Sequence, residues 1–77
     1  MATINDKLEV AIISPPDREF LAAEIMIDHE QWAELNQEGG VLTLEIYPRR
    51  DRQPWQISYE AALAALIEAK QRLVGDM

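Results

Sequence analysis

The tripeptide Asp28-His29-Glu30 is the one place in this sequence where residue types suggest a metal site, and His29 is the only histidine. Three consecutive residues of a strand cannot all point at one ion, because alternate side chains diverge to opposite faces. The chain also has no cysteine, so thiolate ligands are absent. We therefore interpret the tripeptide as a polar turn and predict neither a metal nor a cofactor.

Nucleophilic and phosphate-binding chemistry is equally poorly represented. Ser14 precedes two prolines, Ser58 is placed to cap a helix, and neither has a separate histidine and acid to activate it. Gly39 and Gly40 are typical of a hairpin loop, because no helix begins directly after them as it would after a phosphate-binding loop. The three arginines at residues 49–52 are interpreted as a solvated loop. The sequence therefore predicts a protein that is not an enzyme.

The charge balance indicates the kind of partner. The chain has 14 acids, 7 bases and a net charge of -7, and residues 19–48 contain seven acids with no Lys or Arg. Such a chain is unsuited to nucleic acid or to an anionic membrane, both of which require clustered cations. It suits a basic protein partner. With no export signal, no membrane-spanning run and no cysteine, the expected compartment is the cytoplasm.

A C-terminal helix is the clearest element. Between residues 58 and 74, apolar side chains recur at three- and four-residue spacing, which predicts a helix with one face against a core. Ser58 is the expected N-cap, Glu60 suits the first turn, and Gly75 is the expected stop. The residues assigned to the apolar face are Tyr59, Ala62, Leu63, Leu66, Ile67, Ala69, Leu73 and Val74.

The preceding residues alternate in the manner of strands. Strands are predicted over residues 7–13, 20–28 and 41–47, with a short final strand over 55–57. Residues 29–36 fit either a short helix or, preferably, a strand that enters the next one through a hairpin loop at 37–40. In that hairpin, Leu35 and Ala33 are expected to lie opposite Leu42 and Leu44. Strands followed by one helix predict an α+β fold: a four- to five-stranded antiparallel meander with the C-terminal helix packed on one face. Residues 1–77 form a single domain, with 1–6 expected to be frayed.

The helix should cover only one face of this sheet. Alternation assigns ten apolar residues to the covered face: Leu8, Val10, Ile12, Leu21, Ala23, Ile25, Ile27, Leu42, Leu44 and Ile46. The opposite face then mixes acids with aromatic residues, a composition suited to binding a basic protein. The predicted partner-binding residues are Glu24, Asp28, Trp32, Glu34, Glu45 and Tyr47. Charge reversal at Glu34 and Glu45 is expected to weaken such binding without unfolding the chain.

The layout resembles a class of short bacterial proteins. The segments ISPPDREFLAAEI, QWAEL, LEIYPR and PW, followed by a helix of the type AALAALIEAKQRL, are similar to small immunity proteins of contact-dependent or polymorphic toxin systems. The resemblance spans residues 8–74. It implies a cytoplasmic inhibitor that occludes the active site of a cognate basic toxin, such as a nuclease. The alternative is a self-associating structural or regulatory module, homodimeric through the same face or through the edge of the first strand.

Overall fold

The computed structural model of the protein describes residues 7–75. It contains four strands, β1 (Leu8–Ile13), β2 (Ala22–Ile27), β3 (Glu30–Asn36) and β4 (Thr43–Ile46), followed by helix α1 (Tyr59–Val74). The strands form one antiparallel sheet in the order β1-β2-β3-β4, and the helix packs against it. The predicted α+β meander with a C-terminal helix is confirmed. The expectation that residues 1–6 are frayed lies outside the described residues.

The β2–β3 connection is a two-residue turn. Ile27 pairs with Glu30, and both intervening residues have positive φ, 51° at Asp28 and 65° at His29. Two central residues with positive φ match the twist of a tight hairpin, and aspartate and histidine adopt this conformation more readily than most residues. Residues 30–36 are therefore a strand, and the short-helix alternative is wrong.

A β-bulge changes the position of Trp32. Ile25 pairs with Ala33 but Met26 pairs with Gln31, so Trp32 is an additional residue on β3. Its side chain is buried in the same apolar cluster as Ile25 and Ala33. The assignment of Trp32 to the face away from the helix is therefore wrong, because the extra residue interrupts the alternation on which that assignment depended.

The β3–β4 hairpin keeps the predicted faces with a different register. Leu35 pairs with Leu44 and Ala33 with Ile46, where Leu42 and Leu44 were the expected partners. The apolar residues still share a face, since the shift is two residues. Within residues 7–75 the sheet ends at β4, and the predicted strand at 55–57 is reduced to a single bridge residue, Ile57.

The helix approaches the sheet through small residues. Ala65 and Ala69 are its buried positions, and they join Ala23, Ala33 and the fully buried Ile25 in the core. Several residues predicted to be covered are instead exposed: Leu21, Leu44, Ile46, Tyr59, Leu63 and Ile67. The apolar arc of the helix is wider than its contact with the sheet.

The ends of the helix follow the sequence prediction. The hydroxyl of Ser58 accepts a hydrogen bond from the backbone N–H of Ala61, and Gly75, at φ 83°, donates its N–H to Gln71. Substitution Ser58→Ala leaves that first-turn N–H without its partner, so we expect a loss of about 1 kcal/mol in the free energy of unfolding. Urea unfolding followed by tryptophan fluorescence measures it. Ser14→Ala, at an exposed loop position, is the control and should change little.

Candidate protein-binding face

Three carboxylates cross the sheet side by side on the face turned away from the helix, which we call the open face. Glu24 of β2 pairs with Glu34 of β3, and Glu34 pairs with Glu45 of β4. We call these three residues the acid row. Directly opposed residues of neighbouring strands share a face and lie close together, so like charges at these positions destabilise a sheet unless a cation compensates them.

Arg18 is the cation that compensates most of the row. Its Nη2 atom lies 3.0 Å from Oε2 of Glu34 and 3.2 Å from each carboxylate oxygen of Glu45. The Arg18 side chain is 20% exposed and that of Glu34 only 5%. One guanidinium therefore bridges two adjacent strands from a loop that belongs to neither of them.

Neutral donors complete the network around these carboxylates. The amide of Asn36 donates to Oε2 of Glu34 and to Oε1 of Glu45, both at 3.1 Å, and the hydroxyl of Tyr47 donates to Oε2 of Glu45 at 3.2 Å. Among the described residues, no buried side-chain nitrogen or oxygen lacks a partner. The network is thus fully satisfied, which is the condition under which buried polar groups favour one packing.

The network changes the acidity of its members. Hydrogen bonds from Arg18 and then Asn36 hold the pKa of Glu45 below its ordinary value, and the hydrogen bond to Glu45 raises the pKa of Arg18. Burial, followed by the charges of Glu34 and Glu45, raises the pKa of Tyr47. At neutral pH, Glu45 is therefore a carboxylate and Tyr47 a phenol. Glu45 therefore carries the charge with which it binds Arg18, and the Tyr47 hydroxyl keeps the proton that it donates to Glu45.

The loop that carries Arg18 is held in place by Glu38, an acid outside the acid row. The carboxylate of Glu38, in the β3–β4 loop, accepts hydrogen bonds from the backbone N–H groups of Glu19 and Phe20, each at 3.0 Å. The N–H of Arg18 donates to the carbonyl of Pro15 within the same loop. These bonds hold the β1–β2 loop over one end of the open face and direct Arg18 onto the acid row.

Glu24 is the member of the acid row that Arg18 does not bridge. Its Oε2 accepts a hydrogen bond from the amide of Gln31 at 3.1 Å, and its side chain is only half-buried. It borders an open depression of about 420 Å³. The depression is lined by Glu24, Met26, His29, Glu30, Gln31, Tyr47, Pro48 and Arg50. This part of the open face offers a carboxylate, an aromatic ring and a thioether to a cationic side chain.

The structure brings four of the six predicted binding residues together: Glu24, Glu34, Glu45 and Tyr47. Asp28 lies in the β2–β3 turn, four residues or about 13 Å along the chain from Glu24. Trp32 lies in the core. Glu34 shares the face but is buried and ion-paired, so its carboxylate is already occupied.

Neither Arg18 nor Asn36 was predicted from the sequence as a residue of this face. A signal for Arg18 was present, because it is the only Lys or Arg between Lys7 and Arg49. Two glutamates that face each other across the β3–β4 hairpin favour a cation beside them, but Arg49 and Arg50 are closer to Glu45 in the sequence, so this signal does not select Arg18. Asn36 carried no comparable signal, since an asparagine at a strand end is ordinary.

Comparisons with protein-family models, with curated proteins and with solved structures found no match to this chain. Between residues 7 and 75, no helix combines the length and the apolar character that a membrane crossing needs. That part of the chain also brings no three His, Cys, Asp or Glu side chains into an arrangement that could hold a metal ion.

Proposed function

We propose that this chain is a non-catalytic protein-binding inhibitor that recognises a basic partner through its open face. In this role it is an immunity protein that neutralises a cognate toxin domain in the cytoplasm. A nuclease is the best-suited target, because its substrate cleft is basic and an acidic surface competes there with phosphate. The observation that carries the proposal is the acid row, three aligned carboxylates on a sheet face that the helix does not cover.

The resident Arg18 supports this proposal by showing how the row accepts a guanidinium. Glu34 and Glu45 already bind one arginine, whereas Glu24 has only the amide of Gln31 beside it. With three acids and one arginine, the row retains net negative charge. Glu24, with the adjacent ring of Tyr47, is therefore the position at which we expect a basic side chain of the partner to bind.

The proposal predicts that a toxin domain is encoded beside this chain in its genome, and the test combines the chain with that neighbouring gene product. We expect a one-to-one complex by calorimetry, inhibition of plasmid cleavage by the toxin domain, and weaker binding as salt concentration rises, because exposed charges are screened. A neighbouring gene product that neither binds the chain nor loses activity in its presence would contradict the proposal.

Glu24→Gln locates the contact on the open face. The substitution keeps the shape and the hydrogen bond to Gln31 but removes the charge, so we expect the dissociation constant to rise about tenfold. Glu60→Gln is the matched control, since Glu60 is an exposed acid on the helix, in the other layer of the fold. Equal effects of the two substitutions would mean that net charge, and not the open face, determines recognition.

A further inference from the structure

The helix covers only half of the sheet. It contacts β1 and β2 and the margin of β3, and it does not contact β4. Leu44 and Ile46 lie on the helix side of β4, because they pair with Leu35 and Ala33 of the core. They are 40% and 59% exposed. The apolar floor of the sheet therefore extends beyond the helix that covers it.

One flank of the helix is also apolar and uncovered. Tyr59, Leu63 and Ile67 recur every four residues, which places them along one side of the helix, and they are between 41% and 74% exposed. The charged Lys70 lies on the same flank and interrupts the apolar side chains there.

The position of Arg72 shows which way this flank points. Arg72 donates a hydrogen bond to the carbonyl of Val10 in β1, the edge strand farthest from β4. At about 100° per residue, Arg72 and Leu63 fall on opposite sides of the buried Ala69. Tyr59 and Leu63 therefore face the β4 side, beside the uncovered floor, while Ile67, about 160° from Ala69, lies on the surface of the helix that is turned away from the sheet.

We call these five residues the apolar step, with Leu44 and Ile46 as floor and the exposed side of the helix, with Tyr59, Leu63 and Ile67, as wall. Their combined exposed area is on the order of 500 Å², comparable with the largest apolar patch of a typical monomer. The core beneath is correspondingly thin, since Ile25 and Ile27 are its largest fully buried side chains and five of its buried residues are alanines.

We propose that a second copy of this chain covers the apolar step. The step contains both a ridge, the exposed side of the helix, and a floor, the part of β4 around Leu44 and Ile46 that the helix does not reach, where Ile46 also borders a depression with Arg49 and Trp55. A two-fold rotation places the ridge of each copy on the floor of the other, which is the self-complementarity that a symmetric interface requires. The five residues carry no charge, and interface cores are depleted of charge.

The area also matches a dimer. A stable interface buries about 800 Å² per partner, and homodimer interfaces are about 65% apolar. The exposed area of the apolar step is close to the apolar part of such an interface, and the polar residues around the step supply the remainder. The dimer leaves the open face free, so it is compatible with binding of a basic partner and does not depend on it.

Sedimentation equilibrium from about 1 to about 500 µM protein tests this inference. We expect a monomer–dimer equilibrium that strengthens between about 50 and about 500 mM NaCl, because salt screens the repulsion between two copies of charge -7. Binding of a basic partner has the opposite salt dependence, so failure of one proposal is distinguishable from failure of the other.

The double variant Ile46→Ser/Ile67→Ser changes one floor residue and one wall residue, and both are exposed in the monomer. We expect its dimer dissociation constant to rise about 100-fold or more, with an unchanged circular dichroism spectrum. Phe20→Ser/Leu21→Ser is the matched control, because those residues are about equally exposed but lie in the β1–β2 loop. A chain that stays monomeric at about 500 µM in high salt, or a dimer that survives the double variant but not the control, would overturn the inference.

Discussion

Substitution Arg18→Met should lower the melting temperature by an amount on the order of 10 °C at neutral pH. The change keeps most of the apolar stem of the side chain but removes the cation shared by Glu34 and Glu45. Glu34 then remains a buried carboxylate beside a second one, with only the amide of Asn36 as a common donor. Removing one partner of a buried ion pair is costly, because the other charge is left uncompensated.

The pH dependence of this loss follows from Glu45. Its folded-state pKa is depressed, first by the hydrogen bond from Arg18. The stability that this provides is present above the unfolded-state pKa of an ordinary glutamate, about 4.3, and is lost as pH falls through the lower folded-state pKa. Without Arg18, protonation of Glu45 relieves its repulsion with Glu34. We therefore expect the stability difference between the wild type and Arg18→Met to be largest near pH 7 and to shrink towards about pH 4.

Thermal unfolding at several pH values, followed by circular dichroism, measures both effects. Arg50→Met is the matched control, since Arg50 is 78% exposed and lies 3.9 Å from Glu30 in an exposed pair; such pairs contribute little. The double variant Arg18→Met/Glu34→Gln should recover part of the lost melting temperature, because it removes the buried charge. A difference between wild type and Arg18→Met that does not change with pH would assign the effect to packing by the arginine stem.

The same network changes the expectation for charge reversal at Glu34. From sequence, Glu34 was interpreted as a surface acid whose reversal leaves the fold intact. In the structure, a lysine at this buried position would face Arg18 at the distance of an ion pair. We now expect Glu34→Lys to unfold the chain before it can report on binding, which is why Glu24 is the better probe of the open face.

Strand alternation was sufficient to predict the acid row, because Glu24, Glu34 and Glu45 each have apolar neighbours that must face the core. It failed at Trp32, since one bulged residue reverses the inside–outside pattern locally. Periodicity in the helix identified its apolar arc but not its position across the sheet. Whether Leu63 and Ile67 cover β4 depends on where the helix lies across the sheet. The small residues Ala65 and Ala69 allow the helix to pack closely against β1 and β2, away from β4.

Arg18 could not be assigned to the acid row by pattern alone. It lies in a loop after two prolines, where neither period two nor period 3.6 describes the direction of a side chain. Its position depends on Glu38, which is 20 residues away and binds the loop through backbone N–H groups. Contacts of this kind are long-range and involve one residue at a time, so local sequence carries little information about them.

Substitution Ile25→Ala should be among the most destabilising single truncations in the core. Ile25 is fully buried on the central strand β2, between β1 and β3, and is one of the two largest fully buried side chains. Loss of its side chain should lower the free energy of unfolding by about 2–5 kcal/mol. The total for a chain of 77 residues is about 4–12 kcal/mol. A large fraction of the variant should therefore be unfolded well below the wild-type melting temperature.

Ile67→Ala is the matched control for Ile25→Ala, and it also tests how far the helix covers the sheet. The chemical change is identical, but Ile67 is half exposed on the apolar step, so we expect a change within about 0.5 kcal/mol. Urea unfolding at low micromolar protein, where the monomer dominates, compares the two, with tryptophan fluorescence, to which Trp32 and Trp55 both contribute, as the signal. Similar losses at the two positions would show that the flank of the helix is packed within the monomer. The expected contrast would show instead that the helix is held by its alanines and β2, and that its bulky flank remains free for contact outside the monomer.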